Sequence, residues 1–286
     1  MRFVAFAVDN RSGLAVENAG GELRGLFKQD SDYPGDLIEI LRRGKDAIAG
    51  AARALAAGKP LDRERIRFLP PLVNPQKIVC VGLNYADHAK ESPYEQPKYP
   101  ALFCRFNSTL LGHGAPIMRP RVSEQLDYEG ELVVIIGKRG RHITADRALE
   151  HVAGYSIFND ASVRDYQFKS PQWTVGKNFD ATGAFGPSFV TADDFPPGAQ
   201  GLRLQTRLNG QVVQDATTAD MLFDVVSLIT IISEAMTLEV GDVIVSGTPG
   251  GVGFARKPPL WMKQGDVCEV EIEGIGVLRN PIVDES

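Results

Sequence analysis

The sequence predicts a strand-rich α+β fold, with a small N-terminal α+β unit ahead of a larger β-rich core. Three observations carry this expectation. Short apolar runs of strand length recur from residue 77 to the C-terminus, several of them bounded by Gly-Asp or Asn-Gly turns. Only two stretches, 35–58 and 221–238, place apolar residues at helical spacing. Between the two regions lies Pro70-Pro71-Leu72-Val73-Asn74-Pro75, a stiff extended connection that sets the expected units at 1–72 and 73–286.

In chain order, Arg2–Asp9 reads as a first strand, and Asn10-Arg11-Ser12-Gly13 as the turn of a short meander. Residues 35–58 read as helix, with Leu37, Ile38, Ile40 and Leu41 on one stripe and a break at Gly44. Beyond the proline segment, residues 77–81, 132–136 and 152–158 are apolar strands. Leu202–Leu208 alternates and ends at Asn209-Gly210, a tight hairpin turn. Val243–Ser246 and Val267–Ile272 each follow a Gly-Asp pair, and Gly274 closes the last hairpin. The pattern points to a β-rich roll or barrel-like core with peripheral helices.

Composition narrows the function classes. The 286 residues are 43% hydrophobic and 23% charged, with a net charge of −5, so no basic surface advertises nucleic acid. Cys80, Cys104 and Cys268 are widely spaced, which suits a reducing cytoplasm and argues against a disulfide scaffold or a cysteine zinc site. The N-terminus has no cleavage-site pattern and reads as a strand. The run 221–238 is interrupted by Asp224, Ser227, Thr230, Ser233 and Glu234, too polar to span a bilayer. The expected partner is therefore a small molecule, with no nucleic acid and no membrane.

Glu129 and Glu131 carry the most chemistry. Two residues apart before the apolar run Leu132–Ile136, their side chains point the same way from an extended strand, together with Asp127. Like charges at the mouth of a buried strand are costly unless a cation sits between them. Asp160, at the end of a second apolar strand, would complete an all-oxygen site for a hard cation such as Mg²⁺, Mn²⁺ or Ca²⁺. The other reading is an acidic strand end paired with Arg139, Arg141 or Arg164. His88 and Glu91 lie three apart, neighbours on a helical turn, where a carboxylate would orient an imidazole base; a plain surface pair is the alternative. Lys177, among small and polar residues, could enter a cavity or lie on the surface. Ser246-Gly247-Thr248-Pro249-Gly250-Gly251-Val252-Gly253 lacks the Lys-Ser/Thr of a phosphate loop. Its backbone and the Thr248 hydroxyl could instead approach a carboxylate closely.

These stretches together resemble the fumarylacetoacetate hydrolase family. The residues that carry the likeness are Gly82-Leu83-Asn84-Tyr85-Ala86-Asp87-His88-Ala89-Lys90-Glu91, Asp127-Tyr128-Glu129-Gly130-Glu131-Leu132, Asn159–Gln167, Gly176-Lys177-Asn178-Phe179 and Gly247–Gly253, in the family's order, across roughly residues 75 to 283. The resemblance implies a mixed β-sandwich roll, usually a homodimer. It implies Glu129, Glu131 and Asp160 as ligands of Mg²⁺ or Mn²⁺, with Asp127 outside the set. It further implies His88 with Glu91 as a base pair on a lid, Lys177 beside the bound substrate, and Arg164, Gln167 and Thr248 on substrate oxygens. Arg105 joins the substrate-binding candidates, although many acylpyruvate-cleaving members carry a Lys-Pro pair at Arg105-Phe106 and a basic residue at Leu83.

The activity this implies is metal-dependent hydrolysis of a carbon–carbon bond in a 2,4-dioxo acid of the acylpyruvate or fumarylpyruvate type, through a stabilised enolate, as in aromatic catabolism. The alternative is decarboxylation or isomerisation of a 2-oxo dicarboxylic acid, of the oxaloacetate or 2-hydroxyhepta-2,4-diene-1,7-dioate type. A remoter one is a non-catalytic metal- or ligand-binding protein.

Overall fold

The computed structural model describes residues 1–86 and 98–286, and these form sheets of twelve, five and two strands. The strand Gly130–Ile136 sits inside the large sheet. It pairs antiparallel with Val152–Asp160 on one side and with Val243–Val245 on the other. All seven of its residues are buried, because the strand is covered on both faces. Leu132, Val134 and Ile136 pack into a core shared with Leu204, Val270, Ile272 and Leu278 of the five-stranded sheet. Val133 and Ile135 point the other way, into a second core with Leu37, Ile40, Leu41, Ile48 and Leu55 of the N-terminal helices. Strand alternation therefore sends Glu131 to the same side as Val133.

The sheet continues through Gly183–Thr191 into the N-terminal strands, with Arg2 opposite Val190 and Phe3 opposite Phe189. Its path ends at Lys59–Leu61 and Ala101–Cys104, so it stays open and does not close into a barrel. Gly183–Thr191 was not legible as a strand, since Gly186-Pro187 interrupts its pattern. The ladder accommodates the proline where its register with Val152–Asp160 shifts.

Local signals mostly place the elements as expected. Helices Leu37–Arg42 and Lys45–Ala56 flank Gly44, and Asp36 with Glu39 forms a capping box at the first. Asn209 and Gly210 both take positive φ, 52° and 78°, and join Leu208 to Gln211 as a primed turn requires. Two boundaries move. The first hairpin turns at Asp9-Asn10, so Arg11–Glu17 is already strand and the turn expected at 10–13 is displaced. The second helix region begins at Val225, where the Asp224 side chain accepts the Ser227 N–H at 2.8 Å. Met221 instead bridges to Tyr85, which ties this segment to the edge of the site. Among the described residues no helix is long and apolar enough to cross a membrane.

Candidate metal centre and active-site cleft

The strand expected to carry three acidic residues on one face is interrupted. Leu126–Asp127 pairs with Ser162–Val163, whereas Gly130–Ile136 pairs with Val152–Asp160. The break separates Asp127 from its neighbours. Its carboxylate accepts the N–H groups of Gly253 and Phe254 at 2.7 and 3.0 Å and pairs with Arg164 at 2.8 Å. Burial nevertheless pushes the Asp127 carboxyl above its ordinary value, with Arg164 opposing.

Glu129, Glu131 and Asp160 converge instead, with one oxygen of each within 4.8 Å of the others and all three buried. Around them lie three buried cations. Lys177 Nζ donates to Glu129 Oε2 and to Asp160 Oδ2, each at 2.6 Å. Arg164 Nη2 lies 2.6 Å from Glu129 Oε1. Arg105 bonds Asp160 Oδ1 through Nη1 and reaches Thr182 and Thr109 at 2.6 and 3.3 Å. Of the arginines first considered as partners of this acidic end, Arg164 is one, while Arg139 pairs with Glu239 and Arg141 bonds the Glu234 carbonyl.

Glu131 is treated differently. Among the described residues no lysine or arginine bridges it, and Oε2 accepts the Gly247 N–H at 2.6 Å. Burial, then the Asp160 and Glu129 carboxylates, push its carboxyl well above the usual range, with Lys177 and the Gly247 N–H opposing. Among the described residues, four buried carboxylates thus face three buried cations. The residues fit a hard divalent ion: the donor set is all carboxylate oxygen, and Glu131 is short of positive charge. This Glu-Glu-Asp cluster could hold such an ion.

The placement of Lys177 has a local cause. A Cβ on Gly176 would lie 2.3 Å from the Gln167 nitrogen, so only glycine lets this loop press against the turn Arg164–Gln167. The Val163 N–H then bonds the Gly176 carbonyl at 2.9 Å, and Lys177 is carried inward. Burial works to lower the Lys177 ammonium, but Asp160 and Glu129 hold it above its usual value.

A narrow cleft opens onto the cluster. Glu129, Glu131, Arg164, Gln167, Lys177 and Thr248 line it, together with Leu83, Phe103, Phe168, Trp173 and Phe254. The structure thus gathers most of the residues singled out from sequence, with three qualifications. His88 and Glu91 lie outside the described residues. Arg105 does not line the cleft, and its guanidinium is committed to Asp160, Thr182 and the Ala161 carbonyl. Thr248 reaches the cleft, but its hydroxyl donates to the Gly130 carbonyl at 3.0 Å and accepts from Gln214 at 2.8 Å. Through these two bonds the hydroxyl ties the glycine-rich turn to the central strand.

Other contributors escaped the sequence reading. Phe103 packs edge-on to Trp173 with centroids 5.5 Å apart, and neither carried a local signal. Gln214 binds both the Thr248 hydroxyl and the Gly130 N–H from a strand of the smaller sheet. Asn84, in the stretch that carries the family likeness, holds backbone groups of two other segments. It donates to the Ser246 and Phe223 carbonyls at 2.7 and 3.0 Å and accepts the Phe223 N–H.

Comparison with known proteins gives a consistent result. The family profile "Fumarylacetoacetate (FAA) hydrolase C-terminal" matches residues 77–283. The human protein named oxaloacetate tautomerase FAHD2A, mitochondrial, is 41% identical over 290 residues, covering 99% of this chain and 92% of its own. Among solved structures, a fumarylacetoacetate hydrolase from psychrophilic Exiguobacterium antarcticum superposes with a TM-score of 0.88 at 41% identity, and each chain is fully covered. A 5-carboxymethyl-2-hydroxymuconate delta-isomerase from Mycobacterium smegmatis, also fully covered, gives 0.78 at 31%.

Proposed function

Because this chain belongs to the fumarylacetoacetate hydrolase family, we propose that it interconverts tautomers of a small 2-oxo dicarboxylic acid of the oxaloacetate type. The observation that carries this reading is the 41% identity, over nearly the whole chain, to a protein named for oxaloacetate tautomerisation. The isomerase among the structural neighbours supports the same direction. Hydrolysis of a carbon–carbon bond, the first expectation from the sequence, gives way to the alternative stated beside it.

The cleft chemistry is compatible with a 2-oxo acid. An ammonium has three donors, and Lys177 spends two on Glu129 and Asp160, which leaves one for a substrate oxygen. Arg164 Nη2 is buried without an aligned acceptor, although Glu129 is near, so it too can receive a carboxylate oxygen. Both groups line the same cleft. Held by Glu129, Glu131 and Asp160, Mg²⁺ or Mn²⁺ would supply Lewis-acid polarisation of the substrate oxygens. Tautomerisation moves one proton between C3 and the 2-oxo oxygen. Lys177 and Arg164 stabilise the charge that gathers on oxygen, and His88, oriented by Glu91, is the base the sequence offers for C3. Gln167 accepts from Arg164 Nη1 at 2.9 Å and so holds the guanidinium in place. The homodimer expected from the resemblance is part of this proposal and is tested by light scattering.

The deciding assay follows decay of enol oxaloacetate by its ultraviolet absorbance, with Mg²⁺ or Mn²⁺ and then with chelator, while pyruvate release is monitored in parallel. Metal-dependent acceleration without pyruvate supports tautomerisation. Pyruvate from oxaloacetate would indicate decarboxylation. An inert response to oxaloacetate, with acylpyruvates split, would restore the hydrolase reading.

A further inference from the structure

We propose that Lys177 is the resident cation of the acidic trio, and that a divalent ion binds by competing with its ammonium for Glu129 and Asp160. The inference rests on the reading that this trio holds a metal. All four oxygens of Glu129 and Asp160 already face a cationic side chain. Arg164 is at 2.6 Å from Glu129 Oε1, Arg105 on Asp160 Oδ1, and Lys177 at 2.6 Å from the remaining oxygen of each. A dication entering here must share or displace one of these groups.

The three are not equally replaceable. Arg105 is anchored by Thr109, Thr182 and the Ala161 carbonyl. Arg164 is anchored by Asp127 and Gln167. The hydrogen bonds of Lys177 Nζ among the described residues go only to the trio, and it is the group that touches two members at once. It also has somewhere to go. Nζ lies 5.0 Å from the centre of the Phe103 ring, within cation–π range, and Phe103 lines the cleft. An ammonium drawn off the carboxylates toward Phe103 stays in the cleft, with its donors free for a substrate oxygen. Metal loading would then arm the lysine, and metal would bind before substrate.

The test measures affinity, not turnover. Free Mn²⁺ is titrated by electron paramagnetic resonance against the wild type, Lys177→Met and Lys177→Gln. Removing a unit charge a few ångströms from a dication site should tighten Mn²⁺ binding by about tenfold or more. The variants should also melt at lower temperature without metal, since buried carboxylates lose their partner, and gain more than the wild type on adding Mn²⁺. Gln retains a donor for the carboxylates and serves if Met prevents folding. A wild type that binds Mn²⁺, beside folded variants that bind it equally or more weakly, overturns the exchange alone. A wild type that binds no Mn²⁺ overturns the metal-site reading, and the exchange with it.

Discussion

Asp127 and Arg164 form a buried ion pair, Nε to Oδ2 at 2.8 Å, and the same guanidinium reaches on to Glu129. The aspartate two residues ahead of Glu129 therefore acts on the cluster through an arginine. It also accepts two N–H groups of the glycine-rich turn, which couples that turn to the orientation of Arg164.

Replacing Asp127 with Ala should take from buried Arg164 one of its two carboxylate partners, leaving Glu129 alone, and leave the Gly253 and Phe254 N–H groups unpaired. A loss of about 3–5 kcal/mol is expected from breaking a buried pair by removing one partner. Urea denaturation of the metal-free protein measures it. A change within the range of ordinary surface substitutions would show that the pair is not structural.

Glu131→Gln should abolish Mn²⁺ binding and metal-dependent turnover together, because the carboxylate short of a cation is the one with most to gain from an ion. Isothermal titration with Mn²⁺ and the oxaloacetate assay report the two losses separately. Retained turnover in a variant shown to bind no metal would remove the trio from the mechanism.

Thr248→Val should act on stability before it acts on substrate. Gln214 and the Gly130 carbonyl each lose a partner, at a cost of about 1–3 kcal/mol for buried polar groups left unsatisfied. Denaturation compared with KM makes the distinction, and a raised KM with unchanged stability would assign the hydroxyl to substrate binding instead.

At Gly82, an added Cβ would lie 2.2 and 2.7 Å from ring carbons of Trp173, so Gly82→Ala must move the indole that walls the cleft. With only two tryptophans in the chain, the emission spectrum should shift. Turnover should fall by about tenfold if a wall displaced by roughly 1 Å misplaces the substrate. Unchanged emission would place Trp173 elsewhere in solution.

His113 provides a pH test away from the site. Burial, then Arg63, lower its pKa from 6.5, while its Nδ1 accepts the Arg279 N–H at 3.1 Å. The unfolded chain takes up this proton at higher pH than the folded one. Stability is therefore undiminished above 6.5 and falls as pH drops from there toward the lowered folded value. Melting temperatures between pH 7.5 and pH 5 should show a shallower acid-side decline in His113→Gln than in the wild type.

Most of the fold and much of the cleft could be read from the chain because their signals are local. Leu132–Ile136 is apolar at every position, which implies cover on both faces, and the two cores on either side of it provide that cover. Asp36 with Glu39, Asn209-Gly210 and the Asp224 cap mark their own elements through backbone groups a few residues away. Glu129 and Glu131 could be paired because strand periodicity is a property of the segment itself. Gly183–Thr191 could not be recognised, since its strand conformation is imposed by neighbours on both sides and its glycine and proline hide the pattern.

Charge balance and donor assignment belonged to the tertiary structure. That Asp127 turns to Arg164, that Arg105 stands behind Asp160, that the Thr248 hydroxyl donates to the Gly130 carbonyl, and that Lys177 bridges two carboxylates of the acidic trio all depend on contacts between segments far apart in the chain. A side chain's type and period say what it can do and which way it leaves the backbone. Which partner it meets is decided only when strands and loops are packed. In a buried site that partner determines whether a charge is compensated, a donor is free, or a cation is still required.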